Sequence, residues 1–325
     1  MKPSHVTLVE VGPRDGLQNE AAPVSTALKV ELVQRLQAAG CREIEVTSFV
    51  SPKWVPQMAD NAQVLAGIQR QPGVRYSVLI PNLKGLEMAL SAPRTQWPDE
   101  IVIFGAATEA FSQRNINCSI AQSIERFRPV VVAAHAAGLK VRSALSCALG
   151  CPYQGKVSAD EVEAGVLLFK DIGVDHCGIA DTIGVGTPVK VQAAMARALK
   201  HFPLGEVSGH FHDTYGQALV NIYACLEMGV HVFDGSIGGL GGCPYAKGAT
   251  GNVATEDVLF MLDGMGIDTG LDLNKLVEAG SFISQALGRS SVSRAGKALA
   301  ARQAAIKTAV QTTTEATNPA KVAVQ

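Results

Sequence analysis

Along this chain, short apolar runs rich in β-branched residues alternate with longer segments whose apolar positions recur every three or four residues. The short runs "VTLVEV" (6–11), "EIEVTS" (43–48), "RYSVLI" (75–80), "EIVIFGA" (100–106), "KVRSALS" (140–146), "HCGIAD" (176–181), "EVSGHFH" (206–212) and "VFDGSIG" (232–238) predict strands. Helices are predicted near 26–39, 57–70, 83–91, 119–137, 158–171, 188–200, 216–228 and 254–263. In "STALKVELVQRLQAAG", Leu28, Leu32 and Leu36 fall four apart, Val33 fills in, and Gly40 sits where a helix stop belongs. Eight strand–helix units predict an α/β protein built as a (β/α)8 TIM barrel, with a doubly wound open sheet as the alternative. Beyond residue 271 the pattern is purely helical, so the barrel is expected to carry extra C-terminal helices. Residues 1–290 would form the catalytic barrel with the first of these helices. Residues 291–325 would form a helical extension ending in a tail of little apolar content.

Composition narrows the function classes. Hydrophobic residues make up 47% of the 325 and charged ones 18%, the balance of a compact enzyme rather than a disordered chain. A net charge of −1 leaves no basic stripe for phosphates, and 5% aromatics offer little for base stacking, so nucleic acid is not an expected partner. No apolar run of membrane-spanning length occurs, so no membrane partner is expected either. The seven cysteines are odd in number and irregular in spacing. With no signal-like N-terminus, they point to a reducing, cytoplasmic setting.

In such barrels the chemistry sits at the carboxyl ends of the strands. There the sequence places Arg14 and Asp15 after the first strand, His210 and His212 at the end of the seventh, and Cys243 and Asn252 after the eighth. Residues two apart on a strand share a face, so both imidazoles can reach one point. With Asp15 and the Asn252 amide oxygen they would form a mixed nitrogen and oxygen set. Such a set suits Mg²⁺ or Mn²⁺, and also Zn²⁺ or Co²⁺. Two ordinary polar strand residues are the plainer alternative. Glycines at 235, 238, 239, 241, 242, 248 and 251 surround Cys243. They make either a mobile loop carrying a thiol over the site or a flexible surface loop with a chance cysteine. Glu45 shares a strand face with Glu43 and Thr47; if inward, it needs a partner, and Arg14 is the candidate. Asp181 ends the sixth strand. After it, Gly184 and Gly186 either shape the loop or bare N–H groups for an anion, and Thr187-Pro188 reads as a helix N-cap.

The blocks "VEVGPRDGLQNE", "TSFVSPKWVPQM", "PNLKGLE", "NINCSI", "SCALGCPY", "DTIGVGTP", "HFHDTYGQALVN" and "GGLGGCPYAKGATGNVATED" follow in order over about residues 4–290. The chain thereby resembles the hydroxymethylglutaryl-CoA lyase family. That resemblance implies a TIM barrel and a divalent cation, typically Mg²⁺ or Mn²⁺. It implies cleavage of 3-hydroxy-3-methylglutaryl-CoA to acetyl-CoA and acetoacetate, a step of leucine breakdown and ketone-body formation. By motif, Asp15, His210, His212 and Asn252 match the family's metal ligands, Arg14 its substrate arginine and Cys243 its loop cysteine. Glu45, Asp181 and Glu256 match acidic positions tied to activity, Glu256 standing behind the ligands and Asp181 toward the substrate; Gln18 is a further candidate for substrate contact. An acyl-CoA ligand and a homodimer are the expected partners. Phe211 replaces a residue that is often cysteine in relatives, and its side chain should face away from the metal. The nearest rivals are condensing enzymes of the isopropylmalate and homocitrate synthase type. Those usually follow the histidines with Asn-Asp, where this chain has "DTYGQA". A lyase for a longer 3-alkyl group is a further rival, and a catalytically silent barrel is one from a different class. In the lyase reading Asp15 faces the metal and the hydroxyl, Arg14 faces the thioester oxygen, and neither is the other's main partner.

Overall fold

The computed structural model describes residues 2–242 and 251–316. Among these, eight parallel strands close a barrel in sequence order: β1 (Thr7–Glu10), β2 (Glu43–Ser48), β3 (Arg75–Leu79), β4 (Glu100–Ala106), β5 (Lys140–Ser146), β6 (His176–Asp181), β7 (Val207–Phe211) and β8 (Val232–Gly235). β8 pairs with β1, Val9 standing opposite Asp234, so the open-sheet alternative is excluded. Helices α1 (Thr26–Ala38), α2 (Asn61–Gly67), α3 (Leu83–Leu90), α4 (Glu109–Ile116), α5 (Ile120–Ala136), α6 (Ala159–Ile172), α7 (Pro188–Ala198), α8 (Ala218–Glu227) and α9 (Thr255–Gly264) surround it. Two more, α10 (Leu273–Ala286) and α11 (Arg294–Ala316), follow the barrel.

Every predicted strand is present, within one to three residues at its ends. The strands read as near-continuous apolar runs because a barrel strand is buried on both faces. Their outward side chains meet the helices in a core that includes Tyr76, Phe169, Phe202, Phe211 and Phe233, each under 2% exposed. Helix starts are chemically marked. Ser119 and Ser158 open α5 and α6 with reciprocal capping boxes to Gln122 and Glu161. α1 stops before Gly40, whose φ of +97° lies in the left-handed region. Thr187 does precede α7, but its side chain makes no capping bond; Pro188 alone preorganises that turn. Residues 57–70 divide into a 3₁₀ turn (Pro56–Met58) and the short α2.

Two turns at the top of the barrel press against each other. After β1 the chain makes a π-type turn, Gly12–Gly16, in which the N–H groups of Arg14, Asp15 and Gly16 converge on the Val11 carbonyl at 3.2, 2.8 and 3.2 Å. After β8 it makes a 3₁₀ turn, Ile237–Gly239. A β-carbon on Gly16 would lie 2.7 Å from both Leu240 Cβ and Ser236 Oγ. The glycines flanking Arg14 and Asp15 are therefore there for close approach. Gly16→Ala should lower stability by about 1–3 kcal/mol through overpacking. Thermal or urea unfolding of the variant checks this, and an unchanged midpoint would contradict the packing.

Candidate active site

A cavity of about 740 Å³ opens at the carboxyl ends of the strands. Its lining includes the polar side chains of Arg14, Asp15, Glu45, His210, His212 and Asp234 and the apolar ones of Leu79, Val102, Phe104, Ala144 and Ala180. The tight turn after β1 delivers Arg14 and Asp15 to the same rim. Arg14 is buried and grips Glu45 in a fork, Nε to Oε1 at 2.7 Å and Nη2 to Oε2 at 2.9 Å. Its Nη1 also donates to Asp15 Oδ1 at 2.7 Å. Glu45 is thus the principal partner, as expected. The expectation that neither Arg14 nor Asp15 is the other's main partner holds for Arg14, whose fork is on Glu45; Asp15 shares a direct bond with Arg14 beside the one it accepts from Asn252. Adjacent side chains in so tight a turn cannot reach one cavity without meeting. Burial works against the charge on Arg14, but Glu45 and Asp15 outweigh it and hold the guanidinium firmly protonated.

Asp15, His210 and His212 offer ligand atoms that all lie within 4.8 Å of one another. The β7 register brings the two rings to 5.4 Å between centroids, and His210 Nε2 stands 3.9 Å from Asp15 Oδ2. The donor set fits a cation on two independent grounds. His210 Nδ1 lies 3.0 Å from Asp234 Oδ2; the carboxylate can only accept, so Nδ1 carries the proton and Nε2 is left to face Asp15. His212 Nδ1 is buried with no hydrogen-bond partner among the described residues, an orphan that a cation would satisfy. Burial pushes Asp15 up, yet Arg14 and both histidines hold it well below the usual carboxylate range. Burial and the neighbouring His210 lower His212 to about 4. Burial also acts against charge on His210, but the Asp234 bond and the charges of Asp234 and Asp15 raise its pKa overall.

Asn252 reaches the cluster, but with its NH₂ group: Nδ2 donates to Asp15 Oδ2 at 2.8 Å. Its backbone bridges that of His212, which explains how a residue beyond the glycine loop returns to the rim. Gln18 lines the cavity half-buried. Cys243 lies outside the described residues. The neighbouring Gly242 lines the cavity and accepts a bond from Asn19 Nδ2 at 3.1 Å.

Two acidic candidates stand away from the cavity. Asp181 is fully buried and accepts the N–H groups of Val185 and Gly186 at 3.0 and 2.8 Å. The anion that this loop binds is thus the chain's own carboxylate, which burial raises to about 6 against those bonds. Glu256, at the start of α9, accepts Gly238 N–H at 3.0 and 2.9 Å from behind the 237–239 turn, and burial raises it to about 8. Phe211 points into the core as expected; a β-carbon on Gly209 would meet its ring at 2.5 Å.

Sequence reasoning passed over Asp234 and Arg142. Arg142, buried on β5, donates to Asp234 and to Ser208 Oγ, the latter at 2.8 Å. A polar chain therefore runs from Arg142 through Asp234 to His210. The available signal was a charge within each of two largely apolar strands: Arg142 in "KVRSALS", beyond the exposed Lys140 at its start, and Asp234 in "VFDGS".

The HMGL-like family profile matches residues 5–283. This chain belongs to that family. Human mitochondrial hydroxymethylglutaryl-CoA lyase is 53% identical over 296 residues, 91% of this chain and 90% of that protein. A Pseudomonas aeruginosa protein named as a 3-hydroxy-3-isohexenylglutaryl-CoA/hydroxymethylglutaryl-CoA lyase is 55% identical over 300 residues, 92% of this chain and 99% of that one. Among solved structures, an Acinetobacter baumannii HMG-CoA lyase in complex with coenzyme A and 3-methylmalate superposes with a TM-score of 0.86. It is 35% identical, covering 91% of this chain and 95% of that one. For this HMGL-like chain, Mn²⁺ binding should weaken as pH falls through the raised pKa of His210, because protons compete for the imidazole there, while His212 stays neutral until about pH 4. Calorimetric titration in buffers of differing ionisation enthalpy should show a proton released on binding. In His210→Gln the pH dependence over that range should vanish.

Proposed function

We propose that this protein is a hydroxymethylglutaryl-CoA lyase, which breaks the C2–C3 bond of a 3-hydroxy-3-methylglutaryl thioester in a retro-Claisen step. The observation that carries the reading is the Asp15, His210 and His212 cluster beside the Arg14–Glu45 pair in one cavity. Asp15, His210 and His212 would hold the divalent cation. Asn252 is our fourth ligand, through its amide oxygen once a cation on Asp15 replaces its NH₂ bond. Mg²⁺ or Mn²⁺ held there would supply Lewis acidity toward the substrate's oxygen atoms.

Arg14 carries five N–H donors; three bonds to Glu45 and Asp15 leave two for a ligand among the described contacts. These are suited to the thioester oxygen as enolate charge develops there, with Glu45 fixing the plane of the guanidinium. Two groups compete for the tertiary hydroxyl proton, Asp15 and His210. Asp15 is a weak base, held far below its ordinary range; His210, backed by Asp234, is the stronger base only where its Nε2 is not taken up by the cation, because its Nδ1–H is already given to Asp234. We assign protonation of the enolate carbon to Cys243, carried over from the family motif. Gln18 is proposed as a substrate contact. Asp181 and Glu256 are proposed to act by holding loops, since each carboxylate is taken up by backbone N–H groups.

The acyl-CoA ligand is inferred from the relatives' names and from the coenzyme A in the Acinetobacter complex. A reducing, cytoplasmic setting is supported by Cys41, Cys118, Cys151, Cys177 and Cys225, all buried free thiols. A homodimer is proposed, for which α10 and α11 provide surface outside the barrel. A second reading, a longer alkyl group at C3, is favoured by apolar residues in the cavity lining, among them Val102, Phe104 and Ala144.

Purified protein with hydroxymethylglutaryl-CoA and Mg²⁺ or Mn²⁺ should yield acetoacetate, and EDTA should abolish it. Asp15→Asn and His210→Ala should each lower kcat by roughly 10²-fold or more at saturating cation. Ordinary turnover in both variants would sink the scheme. A higher kcat/KM for a longer 3-alkyl substrate would select the second reading.

A further inference from the structure

Glu10 takes no part in the chemistry described so far. It ends β1, where strand alternation turns Val9 inward beside Asp234 and Glu10 outward beside Gly235. Its side chain therefore lies behind the cavity wall, and it is only 1% exposed. Oε1 accepts the N–H groups of Gly12 and of Ile237, both at 2.8 Å. Oε2 accepts the Thr255 hydroxyl at 2.6 Å.

The three donors come from three different segments. Gly12 opens the turn that carries Arg14 and Asp15. Ile237 opens the turn that leads toward Cys243. Thr255 starts α9, three residues after Asn252. A buried carboxyl group costs several kcal/mol unless its hydrogen-bonding capacity is met, and an aliphatic side chain would fill the same space without that cost. What the carboxyl group adds over a hydrocarbon is the joint itself. The surrounding glycines fit it. A β-carbon on Gly12 would stand 2.6 Å from Glu10 Oε1 and 2.9 Å from Ile237 Cγ2, and one on Gly235 would stand 2.7 Å from Thr255 Oγ1. Neither glycine has a positive φ, so each is explained by the approach of these partners.

We propose that Glu10 is a positioning residue that sets the spacing between the Arg14–Asp15 turn and the strand-8 exit, and thereby the geometry of the cation-binding cluster. It touches neither cation nor substrate and acts through Gly12, Ile237 and Thr255. The proposal rests on the lyase reading for its kinetic consequence, but its binding consequence stands apart from catalysis.

Three variants test it. Glu10→Gln keeps an oxygen for the two N–H groups. Glu10→Met keeps the length and removes every acceptor. Thr255→Val removes one donor and keeps the volume. Each is measured for thermal midpoint, for Mn²⁺ affinity without substrate, and for kcat and KM separately. Glu10→Gln should stay within about threefold of the parent in both affinity and kcat, whereas Glu10→Met should bind Mn²⁺ at least tenfold more weakly, the size expected when support behind a metal ligand is lost. In Glu10→Met, kcat should fall more than KM rises, and Thr255→Val should lie between. A folded Glu10→Met with parental Mn²⁺ affinity and kcat, and only a lower thermal midpoint, would overturn the proposal in favour of a plain stabilising role. Should Glu10→Met fail to fold, parental values in Thr255→Val would overturn it equally. A parent chain that binds Mn²⁺ but cleaves no hydroxymethylglutaryl-CoA would defeat the lyase reading alone, and the metal titrations would still decide this one. No Mn²⁺ binding by the parent would overturn both.

Discussion

The upper half of this barrel is organised around buried guanidinium groups shared among carboxylates. Arg14 is forked onto Glu45 and bonded to Asp15; Arg142 is held by Asp234, which in turn holds His210. Such pairs add little net stability over a hydrocarbon core, but removing one partner leaves a bare buried charge and costs about 3–5 kcal/mol. The site therefore tolerates neither half of a pair alone. The count of charge is also informative. In the cluster itself, two guanidinium groups against Glu45, Asp15 and Asp234 leave one negative charge when the histidines are neutral, a sign that suits a cation at Asp15, while Arg114 and Arg126 add positive charge elsewhere on the cavity lining.

The fold was largely legible because a closed parallel barrel repeats one instruction eight times. Each strand is buried on both faces, so its apolar run stands out even without alternation. The helix α4 was not read. It has eight residues, as α3 does, but in EAFSQRNI only Ala110, Phe111 and Ile116 are apolar, too few to set a period; it begins at a Thr108 cap and ends at Asn117 with φ of +49°. Yet α4 supplies Phe111 and Arg114 to the cavity wall. Short segments that shape a pocket carry the weakest pattern because they pack against a ligand space rather than a core.

The site was legible where chemistry is concentrated in sequence: the Arg-Asp pair, the two histidines, and the Glu45 partnership. It was not legible where a charged residue sits among apolar neighbours within a strand. Asp234 and Arg142 face inward by alternation, but a partner on another strand is a matter of register, which one strand cannot reveal. The position of Asp181 misled for a related reason. Being at the end of a strand places a residue on the rim, but the side chain can turn to the loop behind it, as it does toward Val185 and Gly186.

The segment after the cysteine loop is sewn back between two strands. Val253 N–H bonds Phe211 O and Ser236 N–H bonds Val253 O, each at 3.0 Å, while Asp213 N–H bonds Gly251 O at 2.8 Å. A β-carbon on Gly251 would stand 2.4 Å from Gly241 O, so the two posts of the loop touch. The described flanks of residues 243–250 are thus tied to β7 and β8 from both sides, so the seat of Asn252 beside Asp15 is set by the barrel itself.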